Sequence, residues 1–249
     1  MRHLSVLAAS TAFALAAQAG ETVDYDIDGA AYEGYLAEAT RESKGLVVII
    51  HDWGGLDDYE KTRAEMIADT GYDAFAIDLY GKENRPDTTE ARKEQVGKLY
   101  NDREMMRARI LAGLDQARAS SGETDAIVMG YCFGGGATLE LARSGEGENI
   151  AGYATFHGSL DAPDGADYAD TQAPILVMHG GADSGIPNAL AADLADQLET
   201  DGITYEVQIY SGAPHAWTVF GSDRYQERAD RKSWDAFMDF TQRNLESED

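Results

Sequence analysis

The chain of 249 residues contains a single cysteine, Cys132. One thiol cannot close an intramolecular disulfide, so no covalent staple holds the fold. Basic residues are also scarce. Lys and Arg number 20 against 45 Asp and Glu, which leaves a formal net charge of -25 and a pI near 4.3. A surface this acidic repels phosphate backbones and anionic headgroups, which argues against nucleic acid and anionic membranes as partners. The sequence has no Pro/Gly/Ser-rich linker, composition shift, internal repeat or low-complexity tract. The length therefore reads as one domain with ample core. Zinc-type His/Cys spacing and a phosphate-cradling glycine loop are missing too, so the reading calls for no metal and no organic cofactor.

Long apolar runs are confined to the start. Met1-Arg2-His3 is short and basic, residues 4–17 are small and apolar, and Ala17-Gln18-Ala19 is an A-x-A pattern. This predicts a secretory signal peptide over residues 1–19, cleaved after Ala19, and an exported protein, periplasmic or secreted. The run is short for a span of roughly 20 residues, and no other stretch could cross a bilayer. Residues 20–249 are then the single mature domain. A lone thiol in an oxidising compartment is a dimerising, an inert or a reactive group.

The periodicity predicts an α/β fold. Residues 23–27 and 31–36 alternate apolar and polar around Asp28-Gly29, as a hairpin does. Residues 45–50, 73–79, 125–128, 150–156, 174–178 and 204–210 read as strands, most of them buried on both faces. Residues 58–70, 89–119 with a break near Tyr100-Asn101, 137–142, 188–198 and 224–245 read as helices; the last carries Trp234, Phe237, Met238 and Leu245 on one face. Strands alternating with helices predict a mostly parallel central sheet covered on both faces, with sites at the carboxyl ends of strands.

One stretch organises the rest. Gly130-Tyr131-Cys132-Phe133-Gly134 joins a buried strand to a helix with the G-x-C-x-G spacing of a nucleophile elbow. The glycines let strand and helix approach closely around a strained turn. The helix N-terminus facing the sulfur is expected to favour a thiolate. A thiol nucleophile needs a base, and the base an orienting acid. In elbow hydrolases the chain order is nucleophile, acid, histidine. Asp183, in His179-Gly180-Gly181-Ala182-Asp183, and His215, in Gly212-Ala213-Pro214-His215, follow Cys132 in that order at separate strand ends. His157 and His179 read as structural strand-end histidines. The residues leave open another acyl hydrolase or acyltransferase, peptidase-like, on the same three groups. They also leave open a non-catalytic thiol sensor, which would have no need of that order.

With these pieces in place the chain resembles the dienelactone hydrolase family, an α/β-hydrolase group with a Cys-Asp-His triad. The likeness rests on His51-Asp52-Trp53-Gly54-Gly55, on Asp78-Leu79-Tyr80-Gly81, on the cysteine elbow, on residues 179–183 and 210–217, and on the final helix. It covers nearly the whole mature chain. It implies hydrolysis of a small-molecule ester or lactone through a thioester, with Cys132 as nucleophile, His215 as base and Asp183 as its partner. The backbone N–H groups of Phe133 and Trp53 are the implied oxyanion donors. Two departures stand out. Asp52 occupies the place of a family Glu that hydrogen-bonds the resting thiol. Val219 occupies the place of an Arg, four residues after the histidine, that binds the substrate carboxylate. The other carboxylate-binding Arg has only Lys82 and Arg85 as counterparts in its loop. The resemblance thus implies the reaction class, and does not imply a carboxylate-bearing substrate.

Overall fold

The computed structural model describes residues 19–163 and 165–246. The predicted signal peptide lies outside them except for Ala19. Among the described residues no helix is long and apolar enough to cross a membrane.

Eight strands form one sheet in the order β1-β2-β4-β3-β5-β6-β7-β8. The antiparallel hairpin of β1 (Glu21–Ile27) and β2 (Ala30–Ala37) joins the sheet through β4 (Asp73–Ile77). From β4 onward the neighbours β3 (Leu46–Ile50), β5 (Ala126–Tyr131), β6 (Ile150–Phe156), β7 (Ile175–Gly180) and β8 (Tyr205–Tyr210) pair in parallel. The chain leaves β3 toward β4, then jumps back across β3 to β5 and runs on to β8. Chain direction therefore reverses between β3 and β5, and the crevice outside their carboxyl ends is where such sheets bind ligands.

Successive side chains of a strand point to opposite faces. Leu46, Val48 and Ile50 accordingly pack on one side with Leu99, Met106, Ile110, Leu139 and Leu194, while Val47 and Ile49 pack on the other with Ile67, Ala229, Phe237 and Phe240. The first layer comprises α2 (Thr89–Asn101), α3 (Arg103–Ser121), α4 (Phe133–Ser144) and α5 (Asn188–Thr200). The second comprises α1 (Asp58–Ala68) and α6 (Glu227–Leu245).

The predicted break in the 89–119 segment falls at Asp102, whose side chain accepts the Met105 N–H at 3.0 Å and starts α3 afresh. Two features differ from expectation. Helix α4 begins at Phe133 rather than Ala137, because packing against β3 and β6 overrides the poor helix propensity of three consecutive glycines. The buried face of α6 centres on Ala229, Ser233, Phe237 and Phe240, with Trp234, Met238 and Leu245 only half-buried at its margins.

Candidate active site

Cys132 sits between β5 and α4 with φ 53° and ψ -113°. An L-residue held there stores of order 1–3 kcal/mol, so the surroundings must over-determine the turn. The Cys132 N–H donates to the Phe156 carbonyl at 3.0 Å, and the Cys132 carbonyl accepts from Gly136 at 3.2 Å. The two elbow glycines are required by contact. A Cβ on Gly130 would lie 2.2 Å from the Gly134 carbonyl, and one on Gly134 would lie 2.2 Å from the Ile50 oxygen.

His215 bridges sulfur and carboxylate. Its Nε2 is 3.1 Å from Cys132 Sγ and its Nδ1 is 2.8 Å from Asp183 Oδ2. The carboxylate can only accept, so Nδ1 carries the hydrogen and Nε2 is left free to take the thiol proton. Asp183 is buried, and its other oxygen accepts the Gly185 and Ile186 amides at 2.9 and 3.0 Å. The carboxylate is thereby fixed at both oxygens. The backbone N–H groups of Phe133 and Trp53 lie close enough to the same sulfur to lower its pKa.

The Trp53 donor depends on the loop after β3, and that loop is braced by residues whose roles are not readable from the motif. The Leu79 amide donates to His51 Nε2 at 3.1 Å, so His51 Nδ1 bears the hydrogen and donates to the Asp52 carbonyl at 2.6 Å. His51 is buried, and that burial lowers its pKa and keeps it neutral. Glu60 is fully buried and accepts the amides of Asp52 and Asp57 at 3.2 and 3.1 Å, while Asp57 caps α1. The Asp57-x-x-Glu60 spacing of a capping box was the available signal for Glu60.

Asp52 itself shapes the loop. Its Oδ1 accepts the Gly54 amide at 2.6 Å. It acts on the thiol through its charge, and in the direction opposite to the thiolate expected from the helix N-terminus. Burial, the Asp52 carboxylate and the Asp183 carboxylate push Cys132 up to about 12, outweighing the Phe133 and Trp53 donors. The helix terminus loses because the sulfur is enclosed by protein next to two negative charges. The resting site is a neutral thiol within hydrogen-bond reach of His215 Nε2.

A pH dependence follows from the sign of this shift. An acid with a raised pKa stays protonated below it, so thiolate is about one part in 10⁵ at pH 7. Alkylation of Cys132 by iodoacetamide is expected to quicken about tenfold per pH unit from pH 6 to 10, with no plateau near the ordinary thiol value of about 8.5. Peptide mass spectrometry of the sole cysteine measures this. A plateau below pH 9 would contradict it, and Asp52→Asn should speed the reaction at neutral pH.

The cations expected to serve a substrate carboxylate are occupied elsewhere. Lys82 contacts Asp24 at 2.6 Å and Glu33 at 3.6 Å on the N-terminal hairpin. Arg85 contacts the buried Asp78 at 3.3 Å and donates to the Gly81 carbonyl at 2.9 Å. Val219 adds no charge. The cation beside the loop is Arg92 of α2, whose guanidinium stacks 5.6 Å from the Trp53 ring centre; burial raises the Asp52 pKa, and the Arg92 charge offsets part of that rise. No local pattern marks Arg92, since it is brought there by packing. Among the described residues no group of His, Cys, Asp and Glu could hold a metal ion.

Comparison with known proteins agrees with this architecture. The profile of the Dienelactone hydrolase family matches residues 32–245. A candidate 2-oxo-3-(5-oxofuran-2-ylidene)propanoate lactonase of Bradyrhizobium sp. is 26% identical over 224 residues, covering 85% of this chain and 89% of its own length. A candidate carboxymethylenebutenolidase of Escherichia coli (strain K12) is 25% identical over 210 residues, 78% of this chain and 75% of its own. The crystal structure of a dienelactone hydrolase-like promiscuous phosphotriesterase from metagenomic libraries superposes with a TM-score of 0.79 at 29% identity, covering 90% of this chain and 97% of that one. With the fold, the strand-end crevice and the family match in agreement, the chain belongs to the dienelactone hydrolase family and is a carboxylic ester hydrolase on the α/β-hydrolase fold.

Proposed function

We propose that Cys132, His215 and Asp183 cleave a carboxylic ester or lactone through a thioester. The observation that carries this reading is the convergence of three groups on the Cys132 sulfur: the His215 imidazole at 3.1 Å and the backbone N–H groups of Phe133 and Trp53. His215 Nε2 takes the S–H proton as the sulfur attacks the carbonyl carbon. The carbonyl oxygen becomes an oxyanion held by the two N–H groups. Collapse breaks the C–O bond, and the imidazolium proton passes to the leaving alkoxide, which stays tethered if the substrate is a lactone. Water then attacks the thioester with His215 again as base, and the departing sulfur recovers its proton. Asp183 keeps the hydrogen on Nδ1 throughout and stabilises the imidazolium. Because the resting thiol is neutral, proton removal and attack occur together rather than from a standing thiolate. The test is hydrolysis of a panel of nitrophenyl esters and a lactone by wild type and Cys132→Ala.

Substrate charge follows from the missing guanidinium. A charge-assisted Arg–carboxylate pair contributes roughly 1.5–3 kcal/mol, or about 10- to 150-fold in affinity. Val219 contributes none of it, and the net charge of -25 disfavours anions further, less so in salt. The enzyme is expected to prefer a neutral short-chain ester over its carboxylate-bearing analogue, and Val219→Arg should narrow or reverse that preference. The measurement is kcat/KM for the matched pair at two salt concentrations. A wild-type preference for the anion of about tenfold would contradict it and point to Arg92, with loss of the preference in Arg92→Gln as the check.

A further inference from the structure

His215 stands on a loop without regular secondary structure between β8 and α6, and the next residue, Ala216, has φ 60°. The bond to Asp183 leaves one freedom. Rotation about the Nδ1–Oδ2 line would swing Nε2 away from the sulfur while keeping that bond. A second set of contacts closes this freedom. His157, at the carboxyl end of β6, packs edge-to-face against His215 with ring centres 5.1 Å apart, and against Trp217 at 5.0 Å. Its Nε2 is 2.8 Å from Thr218 Oγ1, and the same hydroxyl is 2.6 Å from the Tyr59 hydroxyl. The Thr218 carbonyl accepts from Arg63 at 2.7 Å, and Arg63 is paired with Asp230 at 2.5 Å. His157, Thr218 and Arg63 are all buried.

The reaction outlined above moves no proton through His157. Yet the residue is held at φ 43°, a conformation an L-residue keeps only where its surroundings enforce it. Burial, with His215 and Arg63 nearby, also holds its pKa well below the usual imidazole value, so it adds no charge beside the imidazolium that forms on His215.

We propose that His157, anchored by the Thr218 hydroxyl, is a positioning residue that fixes the tilt of the His215 ring. This rests on the assignment of His215 as the base. Tyr59 and Arg63 of α1 tie Thr218 to the body of the fold, so the tilt is set by a helix 155 residues away in the chain rather than by the loop itself. A misplacement of about 1 Å at a reacting group can cost on the order of 10²-fold in rate, and a ring freed to rock should lose part of that.

Thr218→Val removes the hydroxyl and keeps the shape; Thr218→Ser keeps the hydroxyl. The expected result is a fall in kcat of about tenfold for Thr218→Val with KM changed less than about twofold, and Thr218→Ser within about threefold of wild type. In a His157→Phe background, which keeps a ring in the slot, Thr218→Val should add little, because it acts through His157. Active-site titration normalises each rate to folded enzyme, so lost stability alone does not register. A Thr218→Val enzyme within twofold of wild-type kcat, equal damage from Ser and Val, or fully additive effects in the double variant would overturn the proposal. If Thr218→Val does not fold, His157→Phe decides alone: an unchanged kcat overturns the proposal, and a fall of about tenfold at constant KM supports it. Failure of the underlying assignment looks different, because Cys132→Ala would then retain activity.

Discussion

Cys132→Ala is expected to lower kcat for esters and lactones by about 10⁴- to 10⁶-fold, the scale set by removing the nucleophile of a serine triad. The loss is large because the variant has no covalent route at all. His215 and Asp183 keep their bond, and the Phe133 and Trp53 donors remain, so some residual acceleration over water should persist from carbonyl binding. The fold should survive. Alanine carries the same Cβ as cysteine into the φ 53° turn, and the sulfur makes no disulfide. Rapid quenching of the wild type with a slowly deacylated ester should give a mass adduct on the peptide containing Cys132, absent in the variant. Retention of a tenth of the activity by Cys132→Ala would remove Cys132 as nucleophile. It would also revive the thiol-sensor reading, under which the cysteine answers to oxidants and not to esters.

Asp183→Asn is expected to cost about 10³- to 10⁴-fold in kcat, close to the equivalent change in a serine triad. The surroundings of Asp183 say why. Its Oδ1 accepts two amides, from Gly185 and Ile186, and its Oδ2 accepts one imidazole N–H. Asparagine has a single oxygen. Two amide donors outbid one imidazole for it, so the NH₂ turns toward His215 Nδ1. That nitrogen must then accept, and the ring hydrogen moves to Nε2, where it faces the sulfur and cannot take its proton. The more acidic nucleophile lowers the loss relative to serine, but the neutral resting thiol limits that relief. Asp183→Ala imposes no tautomer and leaves two buried amides unpaired, so it should lose less rate and more stability than Asp183→Asn. Thermal unfolding alongside kcat separates the two. Near-wild-type turnover by Asp183→Asn would remove Asp183 from its role.

Much of the molecule was legible in one dimension. The strand signals, the helix break before Arg103 and the Gly130/Gly134 spacing are local, because period-2 and period-3.6 patterns and tight turns are set by neighbours a few residues apart. The order Cys132, Asp183, His215 was legible for a different reason: loops at the carboxyl ends of parallel strands share one edge of the sheet, so chain order translates into proximity. What only the tertiary structure decided depends on charges and contacts that meet through space. Lys82 and Arg85 looked available from their loop, but Asp24 and Glu33 on the hairpin and Asp78 beneath the loop take them up. Arg92 reaches Trp53 with no motif to announce it. His157 read as a strand-end histidine, and its place against His215 appears only when Tyr59 and Thr218, 159 residues apart, share a hydrogen bond. The protonation of Cys132 was decided the same way. A helix N-terminus can be read from sequence, whereas enclosure beside Asp52 and Asp183 cannot, and desolvation next to two carboxylates is the stronger effect on that sulfur.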